Sequence, residues 1–165
     1  MKYHCFEDLP VWKDAIELAV RVFGLTGKSC FRGHAGTRTQ LENAVVSISN
    51  NIAEGFERGT TQETLTFLYI ARGSAGEVRS MLRLVERVRA FTDFRTEIPD
   101  LINRSLSISR QLRAWADSMQ NSEIRGQRYL NDRSRRSSKA AQEREEFLDE
   151  LRRVRESNRP GSTSE

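Results

Sequence analysis

The sequence predicts an all-α fold, an antiparallel up-down-up-down four-helix bundle with a charged C-terminal extension. Three observations carry this prediction. Apolar residues recur at helical spacing in four separate stretches of roughly 20 residues. The breaks between them are short and marked by glycine, proline or capping residues. No segment sustains the period-2 alternation of a strand. Helices of this length joined by short loops pack as antiparallel neighbours. At 165 residues the chain is long enough to bury a core without disulfide or metal. Residues 1–120 are assigned to the bundle and 121–165 to the extension.

The first helix begins near Leu9, with Asp8 as the expected N-cap and Pro10 in the first turn, where a missing N–H costs nothing. Val11, Ala15, Leu18, Val22 and Leu25 form its apolar stripe, widened by Trp12, Ala19 and Phe23. Gly24 and Gly27 weaken its end, and Gly33 and Gly36 frame a loop. The second helix runs from about Gly36 to Phe56 on Leu41, Val45, Ile48, Ile52 and Phe56, with Gly55 and Gly59 as the stop. Beside that face lies a second row: Ala44, Ser47, Asn51 and Glu54.

Thr60-Thr61-Gln62-Glu63 reads as a capping box that opens the third helix. Its apolar side is Leu65, Leu68, Tyr69, Ala75, Val78, Leu82, Val85 and Val88, and it reaches about Ala90. Gly73 and Gly76 stand in its middle. Each costs about 1 kcal/mol relative to alanine, so close packing by a neighbour is expected there. The fourth helix starts at Thr96 or Glu97 with Pro99 in its first turn and ends near Met119, on Leu101, Ile102, Leu106, Ile108, Leu112 and Trp115.

After Asn121 apolar residues thin out and arginine, serine and glutamate dominate. Ala140–Glu156 has the stripe Phe147, Leu148, Leu151 and Val154 of one more helix. It reads either as a solvated helix in a disordered tail, favoured for the isolated protein, or as a helix that docks on a partner. Asn158–Glu165 reads as flexible.

Composition narrows the function classes. No apolar run approaches the length of a membrane span, and the first residues lack the apolar core of a signal peptide. Two cysteines, Cys5 and Cys30, make no disulfide framework, which fits a reducing cytoplasm. His4, Cys5, Cys30 and His34 have poor spacing for a tetrahedral zinc site, so no metal and no cofactor are expected. The net charge is +4, and of the 27 basic residues only Lys2, Lys13, Lys28 and Lys139 are lysines. Arginine's planar fork suits phosphate.

Two groups of residues stand out. Ser47, Asn51 and Glu54 share one helical face at i, i+4 and i+7. Ser74 and Glu77, within Gly73-Ser74-Ala75-Gly76-Glu77, are their counterpart on the third helix. These five read as a structural polar motif at a tight helix crossing. The competing reading makes Glu54 and Glu77 an acid/base pair, but no histidine, nucleophile or third acid sits at helical spacing to either, so no enzyme is expected. The second group is basic: Arg79, Arg83 and Arg87 at i, i+4 and i+8, and Arg133, Arg135 and Arg136 in the extension. These six are the expected phosphate contacts, weighed against the reading in which the arginines simply line a solvated face. Arg104, Arg110 and Arg113 form a further basic set on the fourth helix.

Three segments carry a resemblance. Phe6-Glu7-Asp8-Leu9 with Val11-Trp12-Lys13 and Ala15, then Ala44 through Gly55 ending Asn51-Ile52-Ala53-Glu54-Gly55, then Phe67 through Glu77, occur in the order found in the bacterial four helix bundle protein family. That family includes proteins encoded in intervening sequences of large-subunit rRNA genes and the accessory variability proteins of diversity-generating retroelements. The resemblance spans about residues 6–120. It implies a homopentameric ring and, for the retroelement members, binding of RNA and a reverse transcriptase through basic residues on the ring surface. Ser49 stands where the family usually has proline. Gln40, Glu42 and Asn43 stand where arginine or lysine is common, which weakens a basic face on the second helix.

Overall fold

The computed structural model describes residues 3–94 and 96–121, together with 143, 144, 147, 148, 152 and 153. The chain divides into two compact units, Met1–Arg128 and Tyr129–Glu165. The first unit holds four α-helices: α1 (Pro10–Thr26), α2 (Ala35–Glu57), α3 (Thr61–Arg87) and α4 (Ile98–Gln120). In the second, every described residue is helical and exposed, Phe147 and Leu148 included. Leu151, Val154 and the end expected to be flexible, 158–165, lie outside the described residues.

Pairs of contacts give the direction of packing. Asp14 on α1 accepts from Gln111 on α4, whereas further along α1 Arg21 reaches Asp100. Ser47 on α2 meets Ser74 on α3, and Gly55 meets Phe67. Ser105 on α4 meets Ala75, and Gln120 meets Tyr69. In each pair of helices residue numbers rise on one while they fall on the other, so these neighbours run in opposite directions. Each of α1 and α3 packs on both α2 and α4, which places α1 and α3 on a diagonal. The stripes read from the sequence meet in one core, with Leu18, Val22, Leu41, Val45, Ile48, Ile52, Leu68, Val78, Leu82, Val85, Leu101, Ile108 and Leu112 buried.

The capping box is present: Thr60 Oγ1 accepts from the Glu63 amide at 3.2 Å and donates to the Glu63 carboxylate at 2.7 Å. Elsewhere local detail differs from the expectation. Leu9, not Asp8, is the N-cap of α1, because Phe6–Asp8 is already wound into a 3₁₀ turn and the Leu9 carbonyl accepts the first helical bonds from Trp12 and Lys13. Helix α3 ends at Arg87 rather than Ala90, giving way to a 3₁₀ segment, Arg89–Phe94. Phe91 from this segment seals one end of the bundle against Phe31, ring centroids 4.5 Å apart. Phe23 and Tyr69, expected on the core stripes, face solvent at 45% and 43% exposure.

The glycines are the main correction. A side-chain carbon placed on Gly73 or Gly76 would have nothing within 4 Å, so no neighbour within the bundle explains either. Gly55, expected to stop α2, instead lies inside it, buried, and is the point of close approach. A Cβ there would sit 2.8 Å from the Phe67 Cβ and 3.4 Å from the Thr64 carbonyl oxygen. The Arg58 guanidinium covers the same spot, 4.6 Å from the Phe67 ring centroid.

The two kinds of glycine predict opposite mutational signs. Gly76→Ala stabilises by up to about 1 kcal/mol through helix propensity. Gly55→Ala destabilises, because overpacking against a Cβ costs about 1–3 kcal/mol and outweighs that gain. Urea unfolding midpoints shift in opposite directions; a shift in the same direction refutes the close approach at Gly55.

Candidate functional site

The polar motif is a closed chain of hydrogen bonds across the α2–α3 crossing. The Asn51 amide donates to the Ser47 carbonyl at 2.7 Å and to Ser47 Oγ at 3.0 Å. Ser47 and Ser74 hydroxyls lie 2.9 Å apart, and Ser74 Oγ donates to the Ile70 carbonyl at 3.1 Å. The only proton order that serves all these contacts has Ser47 donating to Ser74. Each donor then has an acceptor, as half-buried hydroxyls require. On the other side of α3, buried Ser105 donates to the Ala75 carbonyl at 2.6 Å. Consecutive residues of α3 thus tie it to α2 and to α4.

The two carboxylates of the motif stand apart from this chain. Glu54 is exposed and paired with Arg58 one turn on. It lies on the turn of α2 that meets Thr64 and Phe67, ten residues of α3 from Glu77, or about 15 Å of helix. Glu77 is exposed and makes no ion pair among the described residues. The structure therefore brings Ser47, Asn51 and Ser74 together and leaves Glu54 and Glu77 separate. Among the described residues no three of His, Cys, Asp and Glu gather as metal ligands. The His34 ring instead packs 4.9 Å from Phe91. The Asp8 carboxylate beside Cys5 pushes its thiol pKa up and keeps it neutral.

The arginines divide by whether a carboxylate already holds them. On α4, Arg104 bonds Asp100 at 2.9 Å and Arg113 lies 3.5 Å from Asp117, so only Arg110 of that set has no ion pair among the described residues. On α3, Arg83 is exposed and shares Glu86 at 3.0 Å, whereas half-buried Arg79 and exposed Arg87 make no ion pair among the described residues. Arg87 also occupies the last turn of α3, where a cation faces the helix carbonyl ends. Arg72, two turns before Arg79, falls on the same row by helical periodicity, but Ala75 and Gly76 interrupt the i, i+4 series between them. Arg133, Arg135 and Arg136 lie outside the described residues.

Helix α2 offers no comparable row. Glu42 accepts from buried Thr26 at 2.6 Å and from Arg38 at 2.8 Å. The Thr26 hydroxyl and then the Arg38 guanidinium hold its carboxyl below the ordinary glutamate value, against partial burial. Glu42 therefore neutralises the cation nearest to it.

Comparison with known proteins follows the same outline. The family model described as 23S rRNA-intervening sequence protein matches residues 7–114, more than half of the chain. A solved protein of unknown function from the S23 ribosomal protein family of Bacteroides thetaiotaomicron is similar, at 24% identity and a TM-score of 0.57. The match covers 64% of this chain and 97% of that one. At that identity the likeness speaks for the fold. No curated protein matches the chain. Among the described residues no helix is long and apolar enough to cross a membrane.

The Thr26–Glu42–Arg38 network predicts a pH signature. A depressed folded pKa contributes stability above the unfolded glutamate value near ~4.3, and that stability is lost as pH falls through the folded value. Glu42→Gln is expected to lower stability at pH 7, with the gap from the parent closing as the solution is acidified below that range. Urea titrations across pH check this; a gap independent of pH refutes it.

Proposed function

The chain belongs to the 23S rRNA-intervening sequence protein family, and from that premise we propose that it is a non-catalytic, oligomeric accessory protein that binds RNA. Its setting in this reading is cytoplasmic, beside the reverse transcriptase of a diversity-generating retroelement, with a homopentameric ring as the working unit. The retroelement, the reverse transcriptase and the pentamer rest on the resemblance of the three sequence segments.

The observation that supports RNA binding is the arginine row of α3. Arg72, Arg79, Arg83 and Arg87 lie along one side of α3 by helical periodicity, and three of the four have no carboxylate partner among the described residues. Side chains one turn apart on a helix are about 6 Å apart along its axis, which suits contact with successive phosphates of one strand. Arg133, Arg135 and Arg136 extend the same chemistry into the C-terminal unit. No chemistry is assigned to Glu54 or Glu77, since the first is held by Arg58 and the second has no ion pair among the described residues. A second reading, a ring that binds only protein, draws on the exposed apolar side chains of α1 and α3.

The reading predicts that the full chain binds RNA at low ionic strength with a steep salt dependence. Replacing Arg79, Arg83 and Arg87 together with glutamate is expected to weaken binding at least tenfold while circular dichroism is unchanged. Three lost phosphate contacts reduce the slope of log K against log salt by about 2. Fluorescence anisotropy with labelled RNA measures both. Absence of binding by the parent protein, alone and with a cognate reverse transcriptase, overturns the proposal; a triple variant with full affinity favours the protein-only ring.

A further inference from the structure

Gly73 and Gly76 weaken α3, and nothing inside the bundle explains either, since the space beside both is open. Their spacing from two other residues does explain them. On an α-helix each side chain leans towards the N-terminus and lies over the turn before its own. The position that would cover Tyr69 is 73, and the position that would cover Arg72 is 76; both are glycine. The two glycines therefore leave uncovered an aromatic ring and a guanidinium that are themselves neighbours at i and i+3.

This uncovered pair is ordered and carries unspent charge. Tyr69 is 43% exposed. Its ring is nevertheless held in place, because Oη accepts from the Gln120 side-chain amide of α4 at 2.7 Å. Arg72 is half-buried and makes no ion pair among the described residues. The positions one turn to either side of Tyr69 are Leu65, Thr66, Arg72 and Gly73, so no acid along the helix repels an anion there. Further on, Gly76 and Ser80 keep the same side of α3 low as far as Arg83, which lies within about 40° of Tyr69 around the axis.

We propose that the RNA bound along α3 is single-stranded, with one unpaired base stacked on the Tyr69 ring and its phosphate on Arg72. This rests on the RNA reading above and names the form of nucleic acid that the same row takes. An aromatic face beside a cation matches the two chemical parts of a nucleotide, a flat apolar base and an anionic phosphate. A duplex has no free base face to offer, because its bases stack on one another and its outside presents sugars and phosphates. Arginines alone serve a duplex as well as a strand; the ring tells the two apart. A ring pinned through its hydroxyl also has less freedom to lose when a base stacks on it. Leucine at 73 would favour the helix and lie over the ring, and glycine forgoes the first to avoid the second. Every base has a π face, so this surface selects strandedness rather than sequence.

The test uses the full chain and two labelled RNA probes of one mixed sequence about 12 nucleotides long, one a single strand and the other annealed to its complement. Fluorescence anisotropy at one low ionic strength reads both. The single strand is expected to bind at least tenfold more tightly than the duplex. Tyr69→Ala is expected to weaken single-strand binding by at least about fivefold, the loss of one stacked base, and to narrow the gap between the probes, with unchanged circular dichroism. Gly73→Leu separates binding from folding. Its side chain has room, so its urea midpoint is expected to rise through helix propensity while single-strand affinity falls as in Tyr69→Ala. Equal affinity of the parent for both probes, or a Tyr69→Ala or Gly73→Leu variant that keeps the parent's preference, overturns the single-strand proposal and leaves RNA binding standing. Binding of neither probe overturns the RNA reading and this inference with it.

Discussion

Two adjacent residues at the centre of α3 hold the bundle in register. Ser74 takes the hydroxyl of Ser47 from α2, and the carbonyl of Ala75 takes the hydroxyl of buried Ser105 from α4. Apolar stripes alone would let such helices slide by a turn at little cost, because leucine and valine recur every three or four residues. The Ser47–Ser74 pair resists this, since a one-turn slip parts the two hydroxyls, and a polar group left unpaired away from water costs about 1–3 kcal/mol. Gly55 adds a steric stop at one end of the α2–α3 pair, where Phe67 fills the space that any larger residue would claim. Hydrogen bonds at the middle and contact at the end thus fix both neighbours on α3.

Most of this fold is legible in the sequence because helical periodicity is a repeated signal. Val11, Ala15, Leu18, Val22 and Leu25 each report the same face, and a single anomaly does not erase it. Pro10, Pro99 and the Thr60–Glu63 box mark three helix starts through local chemistry that needs no partner. What misleads is the single residue with a non-local reason. Asp8 is a good cap by type, but the preceding turn had already shifted the start of α1 to Leu9. Phe23 and Tyr69 are apolar and sit at the edge of their stripes, and only the positions of the other helices decide that they face outwards.

The glycines show the limit most clearly. A sequence gives the cost of a glycine within a helix but not the atom that makes the cost worthwhile. Gly73 and Gly76 look like contact points and have open space beside them, whereas Gly55 looks like a terminator and is the contact point. The candidate site divides in the same way. That Ser47, Asn51 and Ser74 belong together is readable from their spacing. That Arg104 and Arg113 are neutralised while Arg79 is not depends on where Asp100, Asp117 and Glu86 fall around their helices, one turn or three residues away.

Helix α3 therefore presents three distinct sides. Its inner side, through Ser74 and Ala75, sets the register of the bundle. The row of Arg72, Arg79 and Arg83 lies on a second side, and Ile70, Glu77 and Leu84 lie about 100° or more around the axis from it, with Arg87 and Tyr69 between the two. With a net charge of only +4, and with Glu42 neutralising the cation on α2 and carboxylates holding Arg104 and Arg113 on α4, α3 is the helix whose arginines are left mostly without carboxylate partners among the described residues.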